Sequence, residues 1–154
     1  MASHLFASAL TASMLHDQRF SVPDSPDALR AEYDDDLATI VDEHGLESAA
    51  NETSVDGDAL EAVLAGESPD LTLEEAAEIQ ALADGAPDAE TVVEMACEHL
   101  LLGMSSAVLD VDALAGAVEL DLEAKEIQQK IERRAPMSLS EFVHLEYAIV
   151  DGLP

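Results

Sequence analysis

The sequence carries the same helix-start signal at two places, 66 residues apart. Thr72 is followed three positions later by Glu75, and Ser138 is followed in the same way by Glu141. In this capping box the hydroxyl and the glutamate each accept a hydrogen bond from a backbone N–H that the first helical turn leaves unpaired. Each pair therefore predicts that a helix begins at the next residue.

Apolar residues recur at the 3.6-residue spacing of amphipathic helices along most of the chain, and no segment shows a convincing strand pattern. Ser25 caps a predicted helix over 26–44, which Gly45 ends. The segment 89–105 has apolar residues on more than one face, which predicts the most buried, central helix. Other helices are predicted over 46–51, from 56 or 58 to 65, 72–85, 114–117, 122–134 and 139–150. The fold class is all-α, a compact multi-helix domain.

The two halves of the chain align beyond their capping boxes. The pairs that match are Ala50 with Ala117, Val55 with Leu122, Leu60 with Ile127, Leu64 with Ile131, Pro69 with Pro136, Leu73 with Leu139, and Ile79 with Leu145. This pattern predicts an internal duplication of a three-helix unit. The alternative is that a chain rich in Ala, Leu, Asp and Glu aligns with itself easily. We predict a disordered extension over 1–24 and a single domain over 25–154, in which helix-turn-helix-like units 25–85 and 89–151 pack on the central helix.

The chain is strongly acidic, with 34 Asp and Glu against 6 Lys and Arg and a net charge of -28. At ordinary ionic strength so much like charge opposes a compact state. Salt removes this repulsion, because the Debye length falls to about 3 Å at 1 M. Because 48% of residues are hydrophobic and the acids are spread along the chain, disorder or a nucleic-acid mimic explains the charge less well. The composition therefore predicts a halophilic protein.

The sequence also predicts a location. No apolar stretch approaches the roughly 18 to 20 residues that span a bilayer, and the first residues lack the basic start of a secretory signal. The single Cys97 cannot form an internal disulfide and lies among apolar neighbours. We therefore expect a cytoplasmic protein without membrane association.

The stretch from Leu46 to Leu82 resembles the Cro and phage-repressor type of helix-turn-helix. It has an Ala-rich helix, a turn, a second helix ending at Gly66, then Pro69 and the capped helix after Thr72. The chain from Met14 onward also resembles an uncharacterised family of acidic proteins from haloarchaea. The first resemblance implies that the second helix of the unit reads DNA. In the first unit that helix exposes only acids and alanine and would repel DNA.

The matching helix of the second unit holds four of the six basic residues of the chain, balanced by four nearby acids. Helical geometry places Lys125, Gln129 and Arg133 on its outer face, Gln128 and Lys130 on the flanks, and Arg134 nearer the buried side. Such side chains suit phosphate and base-edge contacts.

The predicted DNA- or partner-binding residues are therefore Lys125, Gln128, Gln129, Lys130, Arg133 and Arg134. Three interpretations of this patch stay open. The first is a small regulatory protein that binds DNA as a homodimer, which we favour from the sequence. The second is a module that uses the same patch for a protein partner or for homo-oligomerisation. The third is a solvated helix stabilised by a pair between Glu126 and Lys130.

No catalytic or metal-binding motif stands out. Glu141 and His144 have the Glu-x-x-His spacing of di-iron bundles, but such sites need a second copy and two further glutamates. Cys97 and His99 are two residues apart on a helix and point in nearly opposite directions. There is no Gly-rich phosphate loop, nucleophile elbow or zinc-finger spacing. We expect no enzymatic activity, no metal and no cofactor.

Overall fold

The computed structural model describes residues 14–154, and these residues form eight helices. Within this range the one β feature is an isolated bridge between Thr72 and Ser138, so the predicted all-α class is confirmed. The helices are α1 (Pro26–His44), α2 (Leu46–Glu52), α3 (Gly57–Leu64), α4 (Leu73–Gln80), α5 (Ala89–Ala107), α6 (Val111–Ala117), α7 (Ala124–Ile131) and α8 (Leu139–Asp151).

The predicted helix starts are found where the caps indicated. Ser25 Oγ accepts a hydrogen bond from the Ala28 N–H at 3.0 Å, at the start of α1. Both capping boxes are complete, with the hydroxyl of Thr72 or Ser138 3.0 Å from the N–H of its glutamate. Each glutamate accepts in return from the N–H of its capping residue, at 3.0 and 2.9 Å. These local signals need no tertiary contact, which is why the sequence shows them.

The eight helices form two units with the same order. Each unit has a 19-residue helix, a seven-residue helix, an eight-residue helix and a capped helix that begins in its capping box. The repeated unit therefore has four helices, one more than the sequence alignment predicted. The long helices α1 and α5 correspond in length and place, although few of their residues match.

The two units pack with an approximate two-fold relation. Each long helix packs against the capped helix of both units, α1 and α5 alike against α4 and α8. At the junction the Leu73 N–H donates to Met137 O, and the equivalent Leu139 N–H donates to Leu71 O, both at 2.8 Å. Such reciprocal contacts between equivalent residues characterise a two-fold interface. Here both partners belong to one chain.

The core lies between the long helices and the two capped helices α4 and α8. Tyr33 of α1 and Phe142 of α8 are its largest buried side chains, with their ring centroids 6.2 Å apart. Helix α5 is buried along one face, but Leu101 and Leu102 are half-exposed. The expectation that α5 is buried on more than one face is therefore wrong at these two positions.

Within residues 14–154 no single helix is long and apolar enough to cross a membrane. Helices α5 and α6 reach that length and apolarity only when taken together, and a 93° bend separates them.

The segment 14–24 corrects the predicted domain boundary. Leu15 is buried, and its N–H donates to Gln80 Oε1 at 2.8 Å. Gln80 Nε2 lies 2.7 Å from His16 Nδ1. This part of the predicted disordered extension is thus packed on the helical domain. The Leu15 N–H and His16 provide hydrogen-bond partners for the buried side-chain amide of Gln80. The rest of that extension, 1–13, lies outside the described residues.

Candidate binding groove at the end of helix α7

Helix α7 is shorter than predicted, and its end changes where the basic side chains point. The helix ends at Ile131, and Arg133 adopts a left-handed conformation with φ of 64°. The Arg134 N–H then donates to Gln129 O at 2.8 Å, which closes the turn. The helical-wheel placement of Arg134 near the buried side is therefore wrong, and its side chain is 76% exposed.

Lys130 is a structural residue. Its side chain is 15% exposed, and Nζ donates to Pro136 O at 2.8 Å and to Glu141 Oε1 at 3.0 Å. The predicted surface pair with Glu126 does not form, because the Glu126 carboxylate accepts from the Glu123 N–H at 3.1 Å. The charge of Lys130 is thus neutralised within the fold, which leaves it less available for the predicted contact with DNA or a partner.

The other predicted residues stay near the surface, and three of them have acidic neighbours. Gln128 Nε2 donates to Glu132 Oε2 at 3.1 Å. Arg133 Nη1 lies 3.6 Å from Glu94 Oε1, and Arg134 Nε lies 3.5 Å from Glu132 Oε1. Lys125 is exposed, without an acidic partner among the described residues, and Gln129 is half-buried. Exposed pairs of this kind contribute little to stability and exchange readily for other partners.

Lys130, Arg133 and Arg134 line one groove of about 530 Å³. It lies between the start of α4, the first half of α5 and the turn after α7. The lining also includes Leu73, Val93, Cys97 and Met137, which are buried and apolar. Burial raises the pKa of the Cys97 thiol, and the positive charge of Arg133 acts in the opposite direction. The groove therefore combines an apolar floor with a charged rim, in which Lys130, Arg133 and Arg134 stand beside Glu74 and Glu132.

The equivalent space in the first unit is filled by a buried arginine. Arg30 donates to Asp34 Oδ1 at 2.8 Å, to Ser140 Oγ at 2.7 Å and to Pro69 O at 2.5 Å. The repeat aligns α1 with α5 and the turn before α4 with the turn before α8. It thereby aligns Arg30 with Val93, Asp34 with Cys97, Pro69 with Pro136, and Ser140 with Glu74. The groove is thus the place where the second unit lacks the arginine that fills the first.

This comparison explains why Lys130 is buried. The Pro69 carbonyl is satisfied by Arg30 from α1, whereas the equivalent Pro136 carbonyl is satisfied by Lys130 from α7. Each unit thus supplies a cation for the same turn from a different helix. A basic residue at position 130 therefore has a structural cause.

Two residues of the second unit hold a strained backbone where the first unit has glycine. Val108 (φ 56°) and Arg133 (φ 64°) correspond to Gly45 (φ 96°) and Gly66 (φ 74°). Residues with a Cβ pay roughly 1 to 2 kcal/mol in this left-handed region. Both side chains are exposed, Val108 by 89%, so burial in the core does not compensate the strain. Strain retained at a surface position points to a function for that side chain.

Sequence reasoning missed the floor of the groove. Val93 and Cys97 lie in the segment 89–105, which the sequence predicts as the central helix, and Glu74 has no predicted role. The signal that identifies them is the alignment of the two long helices, which sets Val93 against Arg30. That alignment depends on helix boundaries, because the side chains themselves do not match.

No arrangement suited to a metal ion is found in the described residues. Glu141 binds its capping residue and Lys130, and His144 Nδ1 lies 2.8 Å from Ser140 O. The two members of the Glu-x-x-His motif thus have separate structural partners.

Comparison with known proteins gives a family and no closer relative. A model of the family DUF5791, described as a family of unknown function, matches residues 29–152. Neither the curated proteins nor the solved structures contain a match. The matched range covers both four-helix units almost completely, and the chain belongs to the DUF5791 family.

Proposed function

We propose that the protein is a non-enzymatic interaction module that binds an acidic segment of a partner protein in the groove beside α7. The observation that carries this proposal is the strained backbone at Arg133, on the rim of the groove, where the first unit has Gly66. Glycine at this position would fold at lower cost. An arginine there supplies a cation that the fold does not require.

The lining of the groove suggests what the partner presents. An apolar side chain would cover Val93, Cys97 and Met137, and a carboxylate beside it would pair with Arg133 and Arg134. The present acidic neighbours of these arginines are exposed and 3.5 to 3.6 Å away, so a partner can displace them at low cost. Arginine is enriched at protein interfaces, and the volume lies within the usual range of binding pockets.

DNA binding by the same surface is the competing function. It would rest on Lys125, Gln128, Gln129 and Arg134, which remain exposed or half-buried. Affinity for DNA comes mainly from cations that neutralise phosphates, and Lys130 is already paired inside the fold. Exposed acids at 123, 126 and 132 interrupt what remains of the patch. We therefore favour the protein partner.

The net charge supports a setting for this function. We propose that the protein works in the cytoplasm of a cell that accumulates salt, where screening removes the self-repulsion of a chain with net charge -28. Binding experiments accordingly belong in molar KCl.

The test compares a charge reversal on the rim of the groove with a charge reversal on the surface outside it. Arg133→Glu with Arg134→Glu reverses the rim, and Lys125→Glu reverses an exposed charge of α7 outside the groove. Partners captured from native lysate in molar KCl are compared between the variants, with nuclease treatment to detect DNA. We expect the rim variant to lose a partner that the Lys125 variant keeps.

The other outcomes are distinct. Capture that survives the double arginine replacement would refute the groove. Capture that depends on nuclease-sensitive material and on Lys125 would establish DNA binding instead. Light scattering on the purified protein identifies the remaining case: a homodimer that the rim variant dissociates would make a second copy of the chain the partner.

A further inference from the structure

A second cavity, of about 280 Å³, lies between the C-terminal half of α5, the end of α8 and the segment 14–24. Three of its lining residues, Arg19, His99 and Glu146, are polar and largely buried. The side chain of Arg19 is 6% exposed, and Glu146 is 5% exposed. The rest of the lining is mainly apolar and includes Leu100, Ile149 and Leu153.

Two hydrogen-bonding atoms of this cavity are left without a partner. Within residues 14–154 the buried side-chain nitrogen and oxygen atoms that lack a hydrogen bond are Arg19 Nε and His99 Nδ1. Both belong to residues that line the cavity. Because nearly all buried polar groups in proteins are paired, two unpaired buried atoms in residues that line one cavity are the observation from which we argue for a bound molecule there.

The guanidinium of Arg19 is held firmly in position. Its Nη2 donates to Glu32 Oε1 at 2.5 Å and its Nη1 to Ser21 O at 3.3 Å, and the group lies 5.5 Å from the centre of the Tyr33 ring. Nε is the donor that these contacts do not use. Tyr33 donates to Glu146 Oε1 at 2.5 Å, and burial raises the pKa of Glu146 to about 7.

The equivalent place in the first unit does not form such a cavity. The repeat aligns Gly103 with Ile40, Ile149 with Ala83, and Glu146 with Gln80. The corresponding depression, lined by Ile40 and Ala83, holds about 90 Å³. Gln80 is satisfied by Leu15 and His16. In the second unit a Cβ at Gly103 would lie 2.6 Å from Ile149 Cγ2, so glycine is required where the helices meet beside the larger cavity.

We propose that this cavity binds a small organic carboxylate with a short apolar chain. The carboxylate accepts a hydrogen bond from Arg19 Nε. It accepts a second one from His99 Nδ1 when the imidazole carries its proton on that nitrogen. The chain lies along Leu100, Ile149 and Leu153. An alkylammonium ligand is disfavoured because it has only donors and offers no acceptor to the Arg19 Nε–H. The proposal is independent of the groove beside α7.

Binding is measured by calorimetry and saturation-transfer NMR on the full chain in molar KCl. The probes are butanoate, hexanoate and octanoate, with hexanol and hexylamine as neutral and cationic analogues of hexanoate. We expect hexanoate to bind at least about tenfold more tightly than either analogue, the usual effect of a hydrogen bond to a charged group. Equal binding of hexanol or hexylamine, or binding of none of the acids, would overturn the proposal.

Two exposed serines of α5 give a matched pair of variants. Ser106 lines the cavity and Ser105 does not. Ser106→Phe should abolish hexanoate binding, whereas Ser105→Phe should leave it unchanged, and both should fold because the positions are on the surface. Arg19→Met should weaken binding at least about tenfold. Should that variant fail to fold, the serine pair still decides, since equal binding by both serine variants contradicts the site.

Discussion

The two units of this protein share one architecture and use equivalent positions differently. Where the first unit has Arg30, Gly45, Gly66 and Gln80, the second has Val93, Val108, Arg133 and Glu146. At these positions the first unit is filled and hydrogen-bonded, and it has glycine where φ is positive. Elsewhere it holds one left-handed residue with a side chain, Ser68 (φ 52°). The second has a groove, two left-handed residues with side chains, and a buried ionisable carboxyl. We infer that the first unit mainly provides stability, and that the second has given up stability to form binding sites.

The contrast also shows why the basic residues misled the sequence analysis. Of the six Lys and Arg, Arg19, Arg30 and Lys130 have largely buried side chains, and each is paired with an acid. In a chain so rich in acids, a cation stabilises the fold by neutralising neighbouring carboxylates. Basic residues are therefore scarce on the surface for a structural reason, and each exposed one carries more information.

The largest effect should come from removing Arg30. Arg30→Met leaves Asp34 and the Pro69 carbonyl buried without their donor, and breaking such a pair costs about 3 to 5 kcal/mol. Lys130→Met removes the equivalent cation of the second unit from a more exposed site and should cost about 1 to 3 kcal/mol. Urea unfolding in constant molar KCl measures both. A larger loss for Lys130→Met would mean that the first unit is not the stabilising one.

The next effect concerns Glu146, which stands where the first unit has Gln80. Its pKa is raised by burial from 4.5 to about 7 in the folded protein, so the folded state binds a proton that the unfolded state releases. Stability should therefore fall as pH rises from about 4.5 to 7 and then level off, by about 3 kcal/mol from this group. Glu146→Gln should remove that fall and still accept the hydrogen bond from Tyr33.

A second carboxyl requires its own control. The pKa of Asp36 is raised to about 6, first by burial and then by the charges of Asp35 and Glu32, and it acts in the same direction at lower pH. Asp36→Asn removes this contribution alone. Urea titrations of both variants at several pH values separate the two groups. An unchanged fall between pH 5 and 7 in Glu146→Gln would show that this carboxyl does not retain its proton in the folded state.

The sequence reveals those features that depend on neighbours along the chain. Ser25, Thr72 and Ser138 act within four residues, so the caps and helix starts were predictable. The wrong predictions involve distant partners. Lys130 pairs with Glu141 of the next helix instead of Glu126 of its own helix. The Leu15 N–H donates to Gln80, which is 65 residues away in the sequence. The placement of Arg134 is wrong because a helical wheel assumes that the helix continues, whereas α7 ends at Ile131 and Arg133 is left-handed.

A smaller effect tests the two-fold relation at the junction of the units. Thr72→Ala and Ser138→Ala each remove one capping hydroxyl beside the reciprocal bridge and should each cost about 1 kcal/mol. Because the two sites are equivalent, the two losses of unfolding free energy should agree within about 0.5 kcal/mol. The double variant should lose the sum of the two, and a departure from that sum would measure coupling through the bridge between Thr72 and Ser138. Urea unfolding gives all three values. A strongly unequal pair would show that the units tolerate damage at their shared junction differently.

The smallest and most informative effects come from exchanging glycine between the units. Arg133→Gly and Val108→Gly relieve the left-handed strain and should each stabilise the protein by about 0.5 to 1 kcal/mol, after the extra entropy of glycine in the unfolded chain. Gly66→Ala should destabilise it by about the same amount, since an added Cβ meets nothing within 4 Å and only backbone strain changes. Gly45→Ala should cost more, because the φ of 96° and ψ of 134° at Gly45 lie outside the left-handed region that residues with a Cβ can adopt. Urea unfolding measures the four values, and partner capture is repeated on Arg133→Gly. A protein that becomes more stable and loses its partner would show that the second unit retains the strain for binding. If Arg133→Gly gains stability and keeps the partner, the strain at this position serves no contact and the groove loses its strongest support.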